Sequence, residues 1–347
     1  MEVYNLNMRD YEEMDLLGYS MKEISSWYIK GNLPVLNVIA TPYNTPLIFV
    51  EIIGEAIKRN KKVLYITNQE EERNELIRYI KLKLNYRSYS YIKNAEEKTS
   101  ANIIFINHNE AINYKDKVEL VIYDNVNSYT AFSRIEIQVL LDHLYKYTSR
   151  IITYSIERIF FNSPVFEAPT IGGSYPIREP RVLTTRIDLS KDIPYIIYDY
   201  FSWFVKVNRK VIIYTPNRAA TFKVYNYLLT IKDKLKAVIH KLEDDRRDKN
   251  VEYLMKAKNL PLIIITNCYE DNYQDMRDID VIVFNADHRI FDYKKLLFFC
   301  GKVGLYNKGG QGEVILLANE TTEEMEEAKN ITRRFNKVAW ERGFFSG

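Results

Sequence analysis

Short β-branched runs alternate with amphipathic stretches along this chain, and they do so in two separate series. Val35 to Ala40, Val63 to Thr67, Asn102 to Ile106, Val118 to Tyr123 and Arg150 to Ser155 are largely apolar runs. Leu47 to Arg59, Asn68 to about Leu84 and Thr130 to Tyr147 carry helical spacing between them. Strands that alternate with helices belong to a parallel sheet covered on both faces. Thr45-Pro46 suits a helix start, with Thr as N-cap and Pro at the first helical position. Asn68 with Glu71 three residues later has the pattern of a capping box. The stretch from Asn162 to Pro194 breaks the rhythm with Pro164, Pro169, Gly172, Gly173, Pro176, Pro180 and Pro194, as a connector would.

The alternation then resumes. Helices are expected over Tyr195 to Val207, Ala219 to Ile231, Asp244 to Lys256 and Tyr293 to Cys300. Strands are expected over Val211 to Thr215, Ala237 to Ile239, Leu262 to Thr266, Asp280 to Phe284 and Glu313 to Ala318. A last helix covers Thr321 to Arg342. Its Glu323-Glu324 and Glu326-Glu327 precede Arg333-Arg334, in the sense the helix dipole favours. The fold class is α/β. Residues 1–34 form a helical lead-in, 35–162 a first domain, 163–194 the connector, 195–320 a second domain and 321–347 a C-terminal helix.

A length of 347 residues allows two domains, each with its own core. The net charge of +3 permits a nucleic-acid partner without requiring one. The two cysteines, Cys268 and Cys300, are isolated, which fits a reducing cytoplasm and no disulfide framework. His108, His143, His240 and His288 are scattered, so no metal site is expected. No run of about 18 apolar residues lacks a charge, so no membrane span is expected. The N-terminus shows no secretory pattern, and with the isolated cysteines a cytoplasmic location is expected.

Nucleotide chemistry makes specific demands, and three places in the sequence bear on them. A P-loop joins a strand to a helix through Gly-x-x-x-x-Gly-Lys-Ser/Thr, whose amides wrap the phosphates. Here the first strand runs into Ala40-Thr41-Pro42-Tyr43-Asn44-Thr45-Pro46-Leu47. Tyr43 and Thr45 stand at glycine-like positions, Pro46 at the lysine and Leu47 at the magnesium-binding hydroxyl. Proline removes an amide as well as the cation. A later strand should end in Asp-Glu, the Glu orienting the attacking water. Leu120 to Tyr123 ends instead in Asp124-Asn125, and an asparagine takes no proton. Near the C-terminus stands Gly301-Lys302-Val303-Gly304-Leu305, and a leucine donates nothing to a phosphate.

These residues, in this order, resemble the core of the superfamily 2 helicases, above all the late-competence DNA-uptake ATPases (ComFA-type). The resemblance runs from about Asn37 to Phe345. Gly301 to Leu305 stands where that family has Gly-Arg-x-Gly-Arg. Asn107-His108, Thr153-Tyr154-Ser155, Ile212 to Pro216, Thr266 to Asn272 with Glu270, and Asp280 to Ala286 match further family segments in order. The resemblance implies two tandem RecA-like domains with parallel sheets covered by helices. It implies a vestigial nucleotide site at Tyr43, Thr45, Pro46, Leu47, Asp124, Asn125, Glu270, Lys302 and Leu305. It places nucleic-acid contacts at Asn68, Gln69, Asn107, His108, Thr215, Arg218, Thr266 and Asn267, with Arg178, Arg181, Arg186 and Lys308 nearby.

The expected function is a catalytically degenerate helicase-like protein that binds nucleic acid or a protein partner without ATP hydrolysis, with no catalytic residue and no cofactor. Single-stranded or duplex DNA, an active helicase-like paralogue and DNA-uptake components are the expected partners. One alternative is an active DNA-dependent ATPase of the DNA-uptake type using ATP and magnesium through Asp124, Lys302 and Glu270. Another is a protein-interaction scaffold without nucleic acid.

Overall fold

The structure, a computed structural model, describes residues 8–82, 86–170, 176–189, 191–242, 249–257, 259–269, 279–303 and 312–342. The chain forms two compact units, Met1–Gly172 and Gly173–Gly347. In the first, α1 (Met8–Lys30) precedes β1 (Val35–Ile39), and a 3-10 turn over Pro46–Phe49 leads into α2 (Val50–Lys58). Next come β2 (Val63–Ile66), α3 (Glu75–Leu82), β3 (Tyr89–Ile92), β4 (Ile103–Ile106) and α4 (His108–Ala111). The unit closes with β5 (Val118–Asp124), α5 (Arg134–Leu144), β6 (Thr148–Ser155) and β7 (Val165–Glu167). Its sheet has the order β3-β4-β2-β5-β6-β1-β7, every neighbouring pair parallel.

The second unit runs β8 (Arg181–Thr184), α6 (Tyr195–Lys206), β9 (Lys210–Tyr214), α7 (Arg218–Thr230), α8 (Lys232–Leu235) and β10 (Val238–Leu242). It continues with α9 (Lys249–Lys256), β11 (Leu262–Thr266), β12 (Ile279–Phe284), α10 (Tyr293–Lys302), β13 (Val314–Ala318) and α11 (Glu323–Glu341). Its sheet has the order β10-β11-β9-β12-β13-β8, again parallel throughout. Both units are therefore parallel sheets flanked by helices, as tandem RecA-like domains are.

Strand alternation explains why the central strands are apolar without a break. In the first unit Val63, Tyr65, Leu120 and Ile122 face α2 and α3, while Leu64, Ile66, Val121 and Tyr123 face α5. Both faces are dry, so every position is apolar. In the second unit an ion pair is buried at the start of the strands. Arg209 Nε and Nη2 donate to the two Asp280 carboxylate oxygens at 2.6 and 3.0 Å, and the Glu313 amide donates to Asp280 at 2.7 Å. Gly312 beside it has φ +151, and a β-carbon there would stand 2.5 Å from Val303 and 2.9 Å from Arg209. Only glycine fits.

Several local expectations shift. The Asn68/Glu71 capping box does not form. α3 starts later, where Asn74 Oδ1 accepts from the Ile77 amide at 3.0 Å. The box that does form is Ser133 with Glu136, heading α5 four residues beyond the expected helix start. Within residues 163–194 the structure places β7 and β8, each hydrogen-bonded into a sheet.

Candidate functional site

In an open parallel sheet, ligands bind beyond the carboxyl ends of the strands. In the first unit the turn after β1 lies there, and its amides point inward. Tyr43 N donates to Val126 O at 3.0 Å and Asn44 N to Thr41 O at 3.2 Å. Thr45 N donates to Asn44 Oδ1 at 3.0 Å and Leu47 N to Thr45 Oγ1 at 3.2 Å. Pro46 has no amide to offer. Tyr43 takes φ +64, a left-handed conformation that costs a non-glycine residue roughly 1–2 kcal/mol. The turn is tied down on the far side as well, because Asn44 Nδ2 donates to Pro169 O at 2.9 Å and the Thr41 and Thr170 hydroxyls meet at 2.8 Å. Thr45 serves as the expected N-cap, and its hydroxyl also donates to Glu75 Oε2 at 2.9 Å.

Asp124, at the end of β5, is enclosed. Its Oδ1 accepts from the amides of Val126 and Asn127 at 2.9 and 3.0 Å. Its Oδ2 accepts from the Tyr65 phenol at 2.7 Å and from Asn127 Nδ2 at 3.3 Å. Burial pushes the Asp124 carboxyl above its usual range, against the pull of those hydrogen bonds. Burial, with the Asp124 charge second, holds Tyr65 well above the usual phenol range, so it stays a donor. Tyr154, one strand over, donates its phenol to Thr45 O at 3.1 Å and packs edge-on against Phe49. Two buried tyrosines thus occupy the layer beneath the turn. Asn125 is 1% exposed, and neither end of its side-chain amide meets a partner among the described residues.

A polar rim lies beside this cluster, at the ends of β2, β4 and β5. Asn68 accepts from the His108 amide at 3.1 Å and donates to Tyr129 O at 3.2 Å, while its own amide reaches Ser128 Oγ at 3.0 Å. Asn107 caps α4, and the Gln69 carbonyl accepts from the Tyr91 phenol. The structure therefore gathers Asn68, Gln69, Asn107 and His108 at one edge. Their exposure differs, however. Asn68 is exposed, Gln69 and Asn107 are half-buried, and His108 is fully buried with Nε2 3.1 Å from Asp124 O. Burial pushes the His108 pKa down to about 3, so the ring is neutral. His108 props the end of β5 and presents no surface to a ligand.

In the second unit the ends of β9 and β11 carry a hydroxyl cluster. Thr215 Oγ1 lies 2.7 Å from Thr221 Oγ1 and donates to Thr266 O at 3.2 Å. Thr221 Oγ1 reaches Asn267 Oδ1 at 3.2 Å, and Asn217 caps α7. Thr215, Thr266 and Asn267 thus come together, but the two threonines are buried and turned inward. Arg218 is exposed at the start of α7. Lys302 is 8% exposed, and its Nζ donates to the Tyr214 phenol at 2.9 Å. Tyr214 in turn stacks on Phe299 with centroids 4.0 Å apart. The cation at the expected arginine position is thereby held inside its own unit. Glu270, Leu305 and Lys308 lie outside the described residues.

Nothing in the sequence marks Tyr65, because a tyrosine inside an apolar strand looks like any other core residue, and Tyr154 stands out only as part of the segment Thr153-Tyr154-Ser155. Phe222 and Lys241, described below, also carried no signal of their own. Among the described residues no group of three or more His, Cys, Asp or Glu could hold a metal ion, and no helix is long and apolar enough to cross a membrane.

No family model and no curated protein matches the sequence. Solved structures do match the fold. The Escherichia coli DEAH/RHA helicase HrpB superposes with a TM-score of 0.58 at 13% identity, covering 90% of this chain and 43% of HrpB. S. cerevisiae Dbp5, bound to RNA and ADP BeF3, gives 0.53 at 8% identity, covering 97% and 96%. The DUF1998 helicase MrfA, bound to DNA and AMPPNP, gives 0.52 at 12% identity, covering 97% of this chain and 53% of MrfA. The chain spans less than half of HrpB, and at these identities the likeness is one of fold: two tandem RecA-like units, each a parallel sheet flanked by helices, as in these helicase structures.

Proposed function

We propose that this chain is a degenerate helicase-like protein that binds nucleic acid and does not hydrolyse ATP. The observation that carries the proposal is the turn from Tyr43 to Leu47. Phosphate binding at such a turn depends on unengaged amides and a cation, and here four amides already have protein acceptors. The remaining groups agree with it. Asp124 is sheathed by Tyr65 and its own loop, Asn125 stands where a base is needed, and Lys302 is fixed on Tyr214. A triphosphate with magnesium does not fit these residues. Nucleic-acid binding draws support from the polar rim at exposed Asn68 and half-buried Asn107, from Arg218, and from the fold shared with Dbp5 and MrfA, whose structures hold RNA and DNA. A role beside an active helicase-like paralogue or DNA-uptake components belongs to the same proposal.

Titration with labelled ATP and magnesium, with and without DNA, tests it. No saturable binding at micromolar concentrations and no phosphate release are expected. Saturable binding with turnover that Asp124→Ala abolishes would overturn the proposal in favour of an active ATPase with divergent ligands.

A further inference from the structure

Helix α7 carries an aromatic ring framed by two cations near the same strand ends. Phe222 is 36% exposed, one residue after Thr221. Arg218, one turn earlier, has its guanidinium carbon 5.7 Å from the Phe222 centroid. Lys241 belongs to β10, the edge strand of its sheet. It sits on the strand face shared with Ile239, which packs with Val224 and Leu228 of α7. Its Nζ comes 3.2 Å from the Phe222 centroid and 5.3 Å from that of Tyr225.

Resting on the nucleic-acid binding proposed above, we infer that Phe222, Arg218 and Lys241 form a stacking platform for a base of single-stranded nucleic acid. Lys241 covers part of the ring, and the 36% of Phe222 that stays exposed offers a π-surface to an unpaired base, with the two cations beside the adjoining phosphates. Duplex is disfavoured, because its bases are stacked on each other and the ring has nothing to receive. An acidic peptide would use the cations but not the ring.

Fluorescence anisotropy of a labelled oligothymidylate, against a hairpin duplex of the same length, tests the platform in the full chain. Phe222→Ala is expected to weaken oligothymidylate binding about tenfold, within the range for one stacked base. Its duplex binding should stay near wild type. Phe222→Trp is expected to retain affinity, and its added indole fluorescence should be quenched by oligothymidylate. Lys241→Gln should lower the slope of log affinity against log salt by about one. Wild-type binding that Phe222→Ala leaves unchanged, or Trp and Ala variants equally impaired while still folded by circular dichroism, would overturn the platform alone. No oligothymidylate binding by the wild type at low salt would overturn both the platform and the nucleic-acid reading beneath it.

Discussion

Asp124 matches a nucleotide motif in type and place, yet its surroundings enclose its carboxylate. A carboxylate that is to organise a hydrated cation must face water. This one faces Tyr65, two amides and Asn127. The motif was legible in the sequence; the enclosure was not, because Tyr65 lies 59 positions earlier in the chain. His108 shows the same limit. It reads as a polar contact residue beside Asn107, and folding turns it into a buried neutral prop. That has a pH consequence. Its folded pKa of about 3 lies below the unfolded value of about 6.5, so the unfolded chain takes the proton first. Stability is therefore complete above about pH 6.5 and falls as pH drops toward 3, by up to about 1.4 kcal/mol per unit. Asp124 acts in the opposite sense. Its raised pKa contributes stability that is present below its unfolded value and lost as pH rises through the folded one. Calorimetric unfolding near pH 7.5 and near pH 5 should show His108→Gln losing roughly 2 kcal/mol less than the wild type over that interval. Equal losses would mean that His108 titrates normally.

At the scale of elements, the turn after β1 is held by geometry that no single residue encodes. Thr45-Pro46 was readable as a helix start, and it is one. What the sequence did not disclose is where the Tyr43 amide and the Asn44 side chain go, because Val126 O and Pro169 O reach the turn from distant segments. Restoring the missing side chains alone should therefore fail. The double variant Pro46→Lys with Leu47→Thr is expected to show no saturable ATP binding by fluorescence titration, since the amides remain engaged. It should also lose roughly 0.4–1 kcal/mol of stability in urea unfolding, as a proline preset for the first helical position is given up. Micromolar ATP binding by this variant would show that side chains, not amides, had been the obstacle. The strands that escaped notice, β3, β7 and β8, all lie at sheet edges. Edge strands are half-exposed, so they lack the unbroken apolar run that marks a central parallel strand.

For the molecule as a whole, the described core clusters of the two units draw on separate stretches of chain. The buried members of the clusters on the two faces of the first sheet come from positions 24 to 168, and those of the cluster in the second unit from 189 to 317. Each unit therefore has the means to fold alone. Expressed separately, Met1–Gly172 and Gly173–Gly347 should each show a cooperative urea transition by circular dichroism. With roughly 170 residues apiece, both fall within the usual domain range. A fragment without a cooperative transition would show that its stability depends on the other half.

The α/β class, the parallel sheets and most central strands followed from the sequence, because burial on both faces forces a pattern that survives without knowledge of neighbours. The place of the turn and of Asp124 was legible for the same local reason. Tertiary structure alone decided whether those groups face a ligand or the protein. That outcome depends on Tyr65, Tyr154, Val126, Tyr214 and Lys241 arriving from remote parts of the chain, and such meetings leave no trace in spacing or composition.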